Sequence, residues 1–412
     1  MRVADVFGFK NPEIKALHLT WIAFFITFYV WFNMAPLASS MLKSVDWLTP
    51  DDLRLFAISN VALTIPARIL VGMALDRFGP RRVFSILMVL MSIPALTFAF
   101  GDTMTQLLVS RLVLSSIGAS FVVGIHMTAM WFKPRDIGFA EGFYAGWGNF
   151  GSAAAALTLP TIALQMIGVL AILVWRIENM GYLSLTGAII AYAIIVTIVC
   201  YQIAQILRVN VPILKKGVPE DDKYPFNSVA ALNSTYFANF GAELAVVSML
   251  PMFFEQTWSL TAAAAGMVAA SFAFVNLIAR PMGGMVSDRM GNRRFVMLSY
   301  MFGISVGFAL MGLLNSSWPL IIAVGVTVFT SFFVQGAEGA TFGIIPSIKR
   351  RLTGQISGMA GAYGNVGAVV YLTIFTFVTP SQFFFIIAGG AFVSWLLCLM
   401  WLKEPESGFA EE

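Results

Sequence analysis

The stretch ARILVGMALDRFGPRR, residues 67–82, begins as the end of an apolar run and finishes as a basic loop. Arg68 lies eight residues before Asp76, inside the apolar part. At about 1.5 Å per helical residue it sits roughly 12 Å below the polar end, close to the middle of a ~30 Å hydrocarbon core. Even low estimates put the cost of an arginine there at about 2.5–3.5 kcal/mol. A charge kept at that depth calls for a partner, either a carboxylate or a ligand.

The composition supports the membrane setting. Of 412 residues, 58% are hydrophobic and 11% charged, against about 25% charged in an ordinary soluble domain. Apolar runs of span length recur near 16–41, 54–75, 83–100, 105–131, 138–163, 183–206, 227–254, 261–286, 295–314, 317–346, 353–378 and 380–402,. The fold class expected is an all-α integral membrane protein with twelve transmembrane helices. The stretch IGVLAILVW, 167–175, is assigned to neither neighbouring span.

Placing both termini inside puts 19 basic residues in inside segments and four, Lys43, Arg54, Arg111 and Arg176, on the outside; Arg68 and Arg280 are left within spans. That asymmetry obeys the positive-inside rule and predicts a multi-pass protein of the cytoplasmic membrane with both ends cytoplasmic. The first residues, MRVADVFGFKNPEIK, lack the pattern of a cleaved leader and read as a cytoplasmic tail,. The net charge of +4 follows from those loops, and no nucleic-acid partner is expected. Cys200 and Cys398 fall near cytoplasmic span ends and read as reduced packing residues. No metal spacing, nucleophile–base pair or phosphate loop is present, so neither enzyme activity, a metal nor a cofactor is expected.

The opening stretch recurs. ARILVGMALDRFGPRR (67–82) realigns with ARPMGGMVSDRMGNRR (279–294), and KPRDIGFAEGFYAGWGNFG (133–151) with KRRLTGQISGMAGAYGNVG (349–367). The chain therefore reads as two parallel six-helix bundles, 1–207 and 227–412, joined by a cytoplasmic linker, 208–226. Parallel halves place a shared site near the midplane between them.

Arg68 and Arg280 hold equivalent positions, which symmetry brings together at that interface. Facing guanidiniums repel unless an anion bridges them, and a planar oxyanion accepts from both forks. The alternative is neutralisation by an intramembrane carboxylate. Glu338, eleven residues before Lys349, lies at a depth close to Arg280, and Glu243 is placed several ångströms from the arginine depth. The anion clamp is the favoured reading. The repeated asparagines, Asn149 and Asn365, are amides in spans and need partners. Gly146, Gly148, Gly151, Gly361, Gly364 and Gly367 read as small-residue helix contacts that also serve as gates.

The loop pattern, with Gly72, Asp76 and Arg77 after the second span and Gly284, Asp288 and Arg289 after the eighth, resembles the motif of the major facilitator superfamily. YAGWGNFG (144–151) and GAYGNVG (361–367), set beside two intramembrane arginines, resemble the signature of the nitrate/nitrite porter family. That resemblance implies a secondary transporter of nitrate and nitrite, working as a monomer in the lipid bilayer by alternating access, in nitrate assimilation. It implies that Arg68 and Arg280 bind nitrate, with Asn149 near the site. Phe121, Tyr236 and Phe240 would line it.

Bringing in a monoanion against about 100 mV, negative inside, costs about 2.3 kcal/mol. Proton symport or exchange with internal nitrite would overcome this, and the family resemblance includes both symporters and antiporters. Glu243 and Glu338 are the proton-coupling candidates, because buried carboxyls can load a proton. His126 reads as a packing residue or a relay. Symport is preferred, with nitrate/nitrite exchange as the alternative. Two further readings are another small anion, such as a carboxylate, and a non-transporting sensor, the latter disfavoured by short tails.

Overall fold

The computed structural model describes residues 3–34, 41–42, 45–133, 135–155, 224–260 and 262–405. The sixth expected span, the stretch 167–175, most of the linker, Cys200, Lys43 and Arg176 lie outside the described residues. Among the described residues every regular element is helical.

In the first half these are α1 (Pro12–Trp31), α2 (Pro50–Ala62), α3 (Thr64–Phe78), α4 (Pro80–Ala99), α5 (Met104–Leu114), α6 (Ser120–Trp131) and α7, residues 135–155. In the second half they are α8 (Phe226–Trp258), α9 (Ala262–Phe274), α10 (Asn276–Arg289), α11 (Arg293–Leu313), α12 (Leu320–Ile348), α13 (Thr353–Phe375) and α14 (Pro380–Trp401). The pairs α2–α3, α5–α6 and α9–α10 each form one interrupted span, and ten segments are long and apolar enough to cross a membrane. With α7 and the sixth expected span, this agrees with twelve. The first helix stops at Trp31, short of the expected 41, where Phe32 caps it by donating to the Phe28 carbonyl.

Local signals set the helix ends. Thr49 with Asp52 and Thr379 with Gln382 form capping boxes at α2 and α14, and prolines open α1, α2, α4 and α14,. The turn after the loop motif needs a positive φ in both halves, 76° at Gly79 and 66° at Gly291,. The arginine-bearing spans also break at matching places, Leu63 and Val275, each five residues before its arginine. The sequence repeat is thus a structural repeat.

The halves meet along two matching seams. α3 packs on α13, where a methyl on Gly72 would lie 2.6 Å from the Gly354 carbonyl and one on Gly358 2.7 Å from the Arg68 carbonyl. α10 packs on α7 in the same way, with Gly138 against the Gly284 carbonyl and Gly142 against the Arg280 carbonyl. At the basic-loop end each motif aspartate caps a helix of the opposite half. Asp76 accepts from the Gln355 N–H at 3.0 Å, and Asp288 from Gly138 N–H at 3.2 Å and Phe139 N–H at 2.9 Å. A carboxylate at a helix N-terminus satisfies free donors and meets the favourable end of the dipole. Asp288 also pairs with Arg293 at 2.8 Å, and Arg350 crosses between halves to the Ala129 carbonyl. Arg77 and Arg289 stay exposed. The basic-loop end is therefore latched shut.

Asp288→Ala would strand two N–H groups and remove the carboxylate from Arg293. The expected loss is about 2–4 kcal/mol, seen as a lower thermal midpoint in detergent, with Asp288→Asn intermediate. An unchanged midpoint would show that this cap contributes nothing.

Candidate functional site

The break at Leu63 starts α3 anew, so that Arg68 comes on its second turn, pointing into the bundle. Arg68 and Arg280 are both fully buried. Arg68 donates through Nε to the Gly118 carbonyl at 3.2 Å and through Nη1 to the Gly361 carbonyl at 2.7 Å. Its Nη2 has no hydrogen-bond partner among the described residues. Gly118 lies in the 3-10 turn Ser115–Ala119 between α5 and α6, and Gly361 belongs to α13 of the other half. Gly361 must be small, because a methyl there would come 2.9 Å from the Arg68 side chain.

Arg280 is arranged differently. Its Nη2 meets Glu338 in an ion pair and donates to the Tyr236 hydroxyl at 3.1 Å, while Nε and Nη1 have no hydrogen-bond partner among the described residues. The two arginines are thus not equivalent. One is neutralised by a carboxylate, as the alternative reading had it, and the other has only carbonyls. The repeat explains why: Glu338 stands eleven residues before Lys349, and the same count back from Lys133 reaches Val122.

Aromatic rings floor the site. Tyr236 and Phe240 stack at 4.9 Å, and Phe121 lies nearly parallel to both, at 6.2 and 6.5 Å. The Arg68 guanidinium carbon is 5.3 Å from the Phe121 centroid and 5.0 Å from that of Phe240, and the Arg280 carbon is 5.6 Å from Phe121. One ring thus serves both cations, at about 0.5–2 kcal/mol per contact. Phe342 stands edge-on to Phe121 and Tyr236 at 4.7 and 4.8 Å. Tyr144 donates to the Phe121 carbonyl at 3.1 Å and fixes that turn.

Glu243 comes closer than its expected depth allows. It accepts from Asn276 at 2.9 Å, one turn before Arg280. Asn365 donates at 3.3 Å to the Gly361 carbonyl that Arg68 also uses. The Asn149 side-chain amide is buried without a hydrogen-bond partner among the described residues, one turn beyond Gly146. His126 lies away from the centre, 3.5 Å from Asp76.

The six signature glycines divide into two groups. Gly146 and Gly361 face the arginine spans of the opposite half. Gly148 and Gly151 seat against Phe24 and Phe25 of α1, and Gly364 and Gly367 against Tyr236, Phe240 and Phe237 of α8. Arg111, counted above as an outer residue, is fully buried. It donates to the Trp31 carbonyl at 2.5 Å and to Asn33 at 2.9 Å. Sequence reasoning passed over Phe342, Tyr144 as a site residue, Asn276 and the Gly118 carbonyl. Asn276, four residues before Arg280 in the span, was the one carrying a usable signal.

A family model described as Major Facilitator Superfamily matches residues 20–223 and 232–412. The chain is 37% identical to the nitrate/nitrite transporter NrtP of Picosynechococcus sp., covering 97% of this chain and 95% of that one. It is 37% identical to NrtP of Nostoc punctiforme over 98% and 95%, and 30% identical to the high-affinity nitrate transporter 2.3 of Oryza sativa subsp. japonica over 90% and 73%. Among solved structures, the proton:xylose symporter XylE superposes with a TM-score of 0.70 at 14% identity, covering 96% of this chain and 97% of that one. FucP in an outward conformation gives 0.69 at 14% identity over 95% and 100%. These two establish likeness of fold.

Removing one partner of a buried ion pair leaves an uncompensated charge. Glu338→Ala and Arg280→Ala are each expected to cost about 3–5 kcal/mol in unfolding stability, with the double variant losing less than the sum. Additive losses in thermal unfolding would show that the two groups do not interact.

Proposed function

The chain belongs to the major facilitator superfamily, and within it to the nitrate/nitrite transporters, and from that premise we propose that it carries nitrate and nitrite across the cytoplasmic membrane by alternating access, coupled to protons. It is a transporter and not an enzyme. The observation that carries the substrate reading is Arg68: a fully buried cation whose Nη2 has no hydrogen-bond partner, and which forms no ion pair, among the described residues. Nη1 and Nε of Arg280 add two further unused donors. Nitrate is planar, singly charged and offers three acceptor oxygens, so it suits donors from two forks above an aromatic floor. Asn149 and Asn365 would complete its surroundings.

Charge balance supplies the coupling. When a proton loads on one of the two glutamates, two guanidiniums face one carboxylate, and a single monoanion neutralises the centre. Loss of that proton leaves two cations and two carboxylates, and the attraction for an anion falls. Proton and anion therefore bind together, which is the condition for symport. Net uptake then escapes the cost of about 2.3 kcal/mol for moving a lone anion inward against 100 mV.

In alternating access the two capped seams part at the cytoplasmic end, with both termini on that side, while the glycine contacts let α7 and α13 slide over α10 and α3. Gly146 and Gly361 lie on the moving contacts. Gly148, Gly151, Gly364 and Gly367 set how each gate helix sits on its own half. The protein works as a monomer in this scheme, since each chain holds both arginines.

The test is nitrate uptake into liposomes, under an imposed pH gradient or with nitrite preloaded inside. Accumulation with the outside acidic is expected for the wild type. Glu338→Gln and Glu243→Gln should lose the pH drive, and Arg68→Lys should cut uptake by about a hundredfold, because an ammonium lacks the fork. Uptake only with internal nitrite would make the protein an exchanger. Competition by carboxylates over nitrate would replace the substrate.

A further inference from the structure

A third buried glutamate lies outside the central site. Glu141, on the second turn of α7, is fully buried, and neither carboxyl oxygen has a hydrogen-bond partner among the described residues. It follows Gly138 by three residues and so shares its helix face. That face meets Asp288, which accepts from the Gly138 and Phe139 N–H groups. The charges acting on Glu141 are Asp288 and Arg293. They already pair with each other at 2.8 Å, so among the described residues no cation is left over to balance an ionised Glu141.

Among the described residues, the other elements around α7 offer no balancing charge either. On α10 Arg280 is committed to Glu338 of α12. On α1 His18 uses one ring nitrogen on the Val6 carbonyl and the other on Trp21, and Glu13 and Lys15 are exposed. On α6 His126 lies against Asp76. The repeat offers a control within the chain. The position matching Glu141, counted from Lys133 and Lys349, is Ser357, whose hydroxyl is satisfied by the Thr353 and Gly354 carbonyls. The carboxyl is therefore not a requirement of the seam.

We propose that Glu141 is a second proton-binding site, filled when the basic-loop end is latched and emptied when it opens. The inference rests on the alternating-access reading above. A carboxylate enclosed without a donor or cation is strongly disfavoured, so the closed seam holds Glu141 as the neutral acid. When α7 leaves Asp288, water reaches the carboxyl and the proton passes to water on that side. Reclosure takes one up. The sign follows: the closed state binds one more proton than the open state, so closure is favoured at low pH and weakens as pH rises.

Hydrogen exchange at Gly138 and Phe139 reads the latch directly, after correction for the intrinsic pH dependence of exchange. In the wild-type protein, protection at these two amides should fall by about tenfold per pH unit once the proton begins to leave. In Glu141→Gln, and in the apolar Glu141→Met should the first variant fold poorly, that slope should drop by about one proton. Equal slopes in wild type and variants would overturn the proposal. Nitrate counterflow by the wild type in the same preparation tests the carrier reading separately: its absence would remove nitrate transport and leave the exchange result standing.

Discussion

A guanidinium at the middle of a membrane protein can persist only if its donors and its charge are both answered, and Arg68 sets the terms for the rest of the bundle. Two of its nitrogens are held by carbonyls that helices do not ordinarily offer to side chains. Gly118 is available because α5 and α6 are joined by a 3-10 turn. Gly361 is reachable because α13 has no side chain there to keep α3 away. The charge itself is met by ring faces, which attract a cation without cancelling it,. A carboxylate in the same place would have neutralised the arginine and left no electrostatic reason for an anion to enter.

The two halves share a skeleton and differ in chemistry. The helix breaks at Leu63 and Val275, the turns at Gly79 and Gly291, and the caps from Asp76 and Asp288 all match. The polar side chains do not: Glu338 corresponds in the repeat to Val122, Glu141 to Ser357, and Asn276 to Thr64. Strict symmetry would put either two unpaired cations or two ion pairs at the centre. The first repels itself and the second has no use for an anion. Pairing Glu338 with Arg280 breaks the symmetry and leaves Arg68 without an ion pair among the described residues.

Topology was legible because burial in lipid imposes long apolar runs, and the basic loops mark their ends. The arginines were legible because a charge in such a run stands out, and Glu338 was found by counting depth from Lys349. The same counting failed for Glu243, since α8 runs for 33 residues and depth measured from its outer end misplaces the residue. Phe342 and Tyr144 were hidden by a 14% aromatic content, in which no single ring is informative. Glu141 was obscured by the glycine signature around it. Its only sequence signal was a carboxylate with no basic residue a turn away.

The origin of each arginine's contacts decides what each does when the halves move. Arg280 keeps Glu338 and Tyr236, which come from its own half, and from the opposite half its guanidinium meets the Phe121 ring. It would move as a unit already paired. Arg68 draws Gly118 and Phe121 from its own half but Gly361 and Phe240 from the other. Separation of the halves therefore strips it of a charge-assisted hydrogen bond and a ring, and leaves two of its nitrogens without protein partners. An anion arriving in the open state would restore those bonds, and closing would return the carbonyl and ring around an occupied guanidinium. In the proposed cycle Arg68 is the cation that loses a hydrogen bond when the halves part, and so the one through which a bound anion would drive the change.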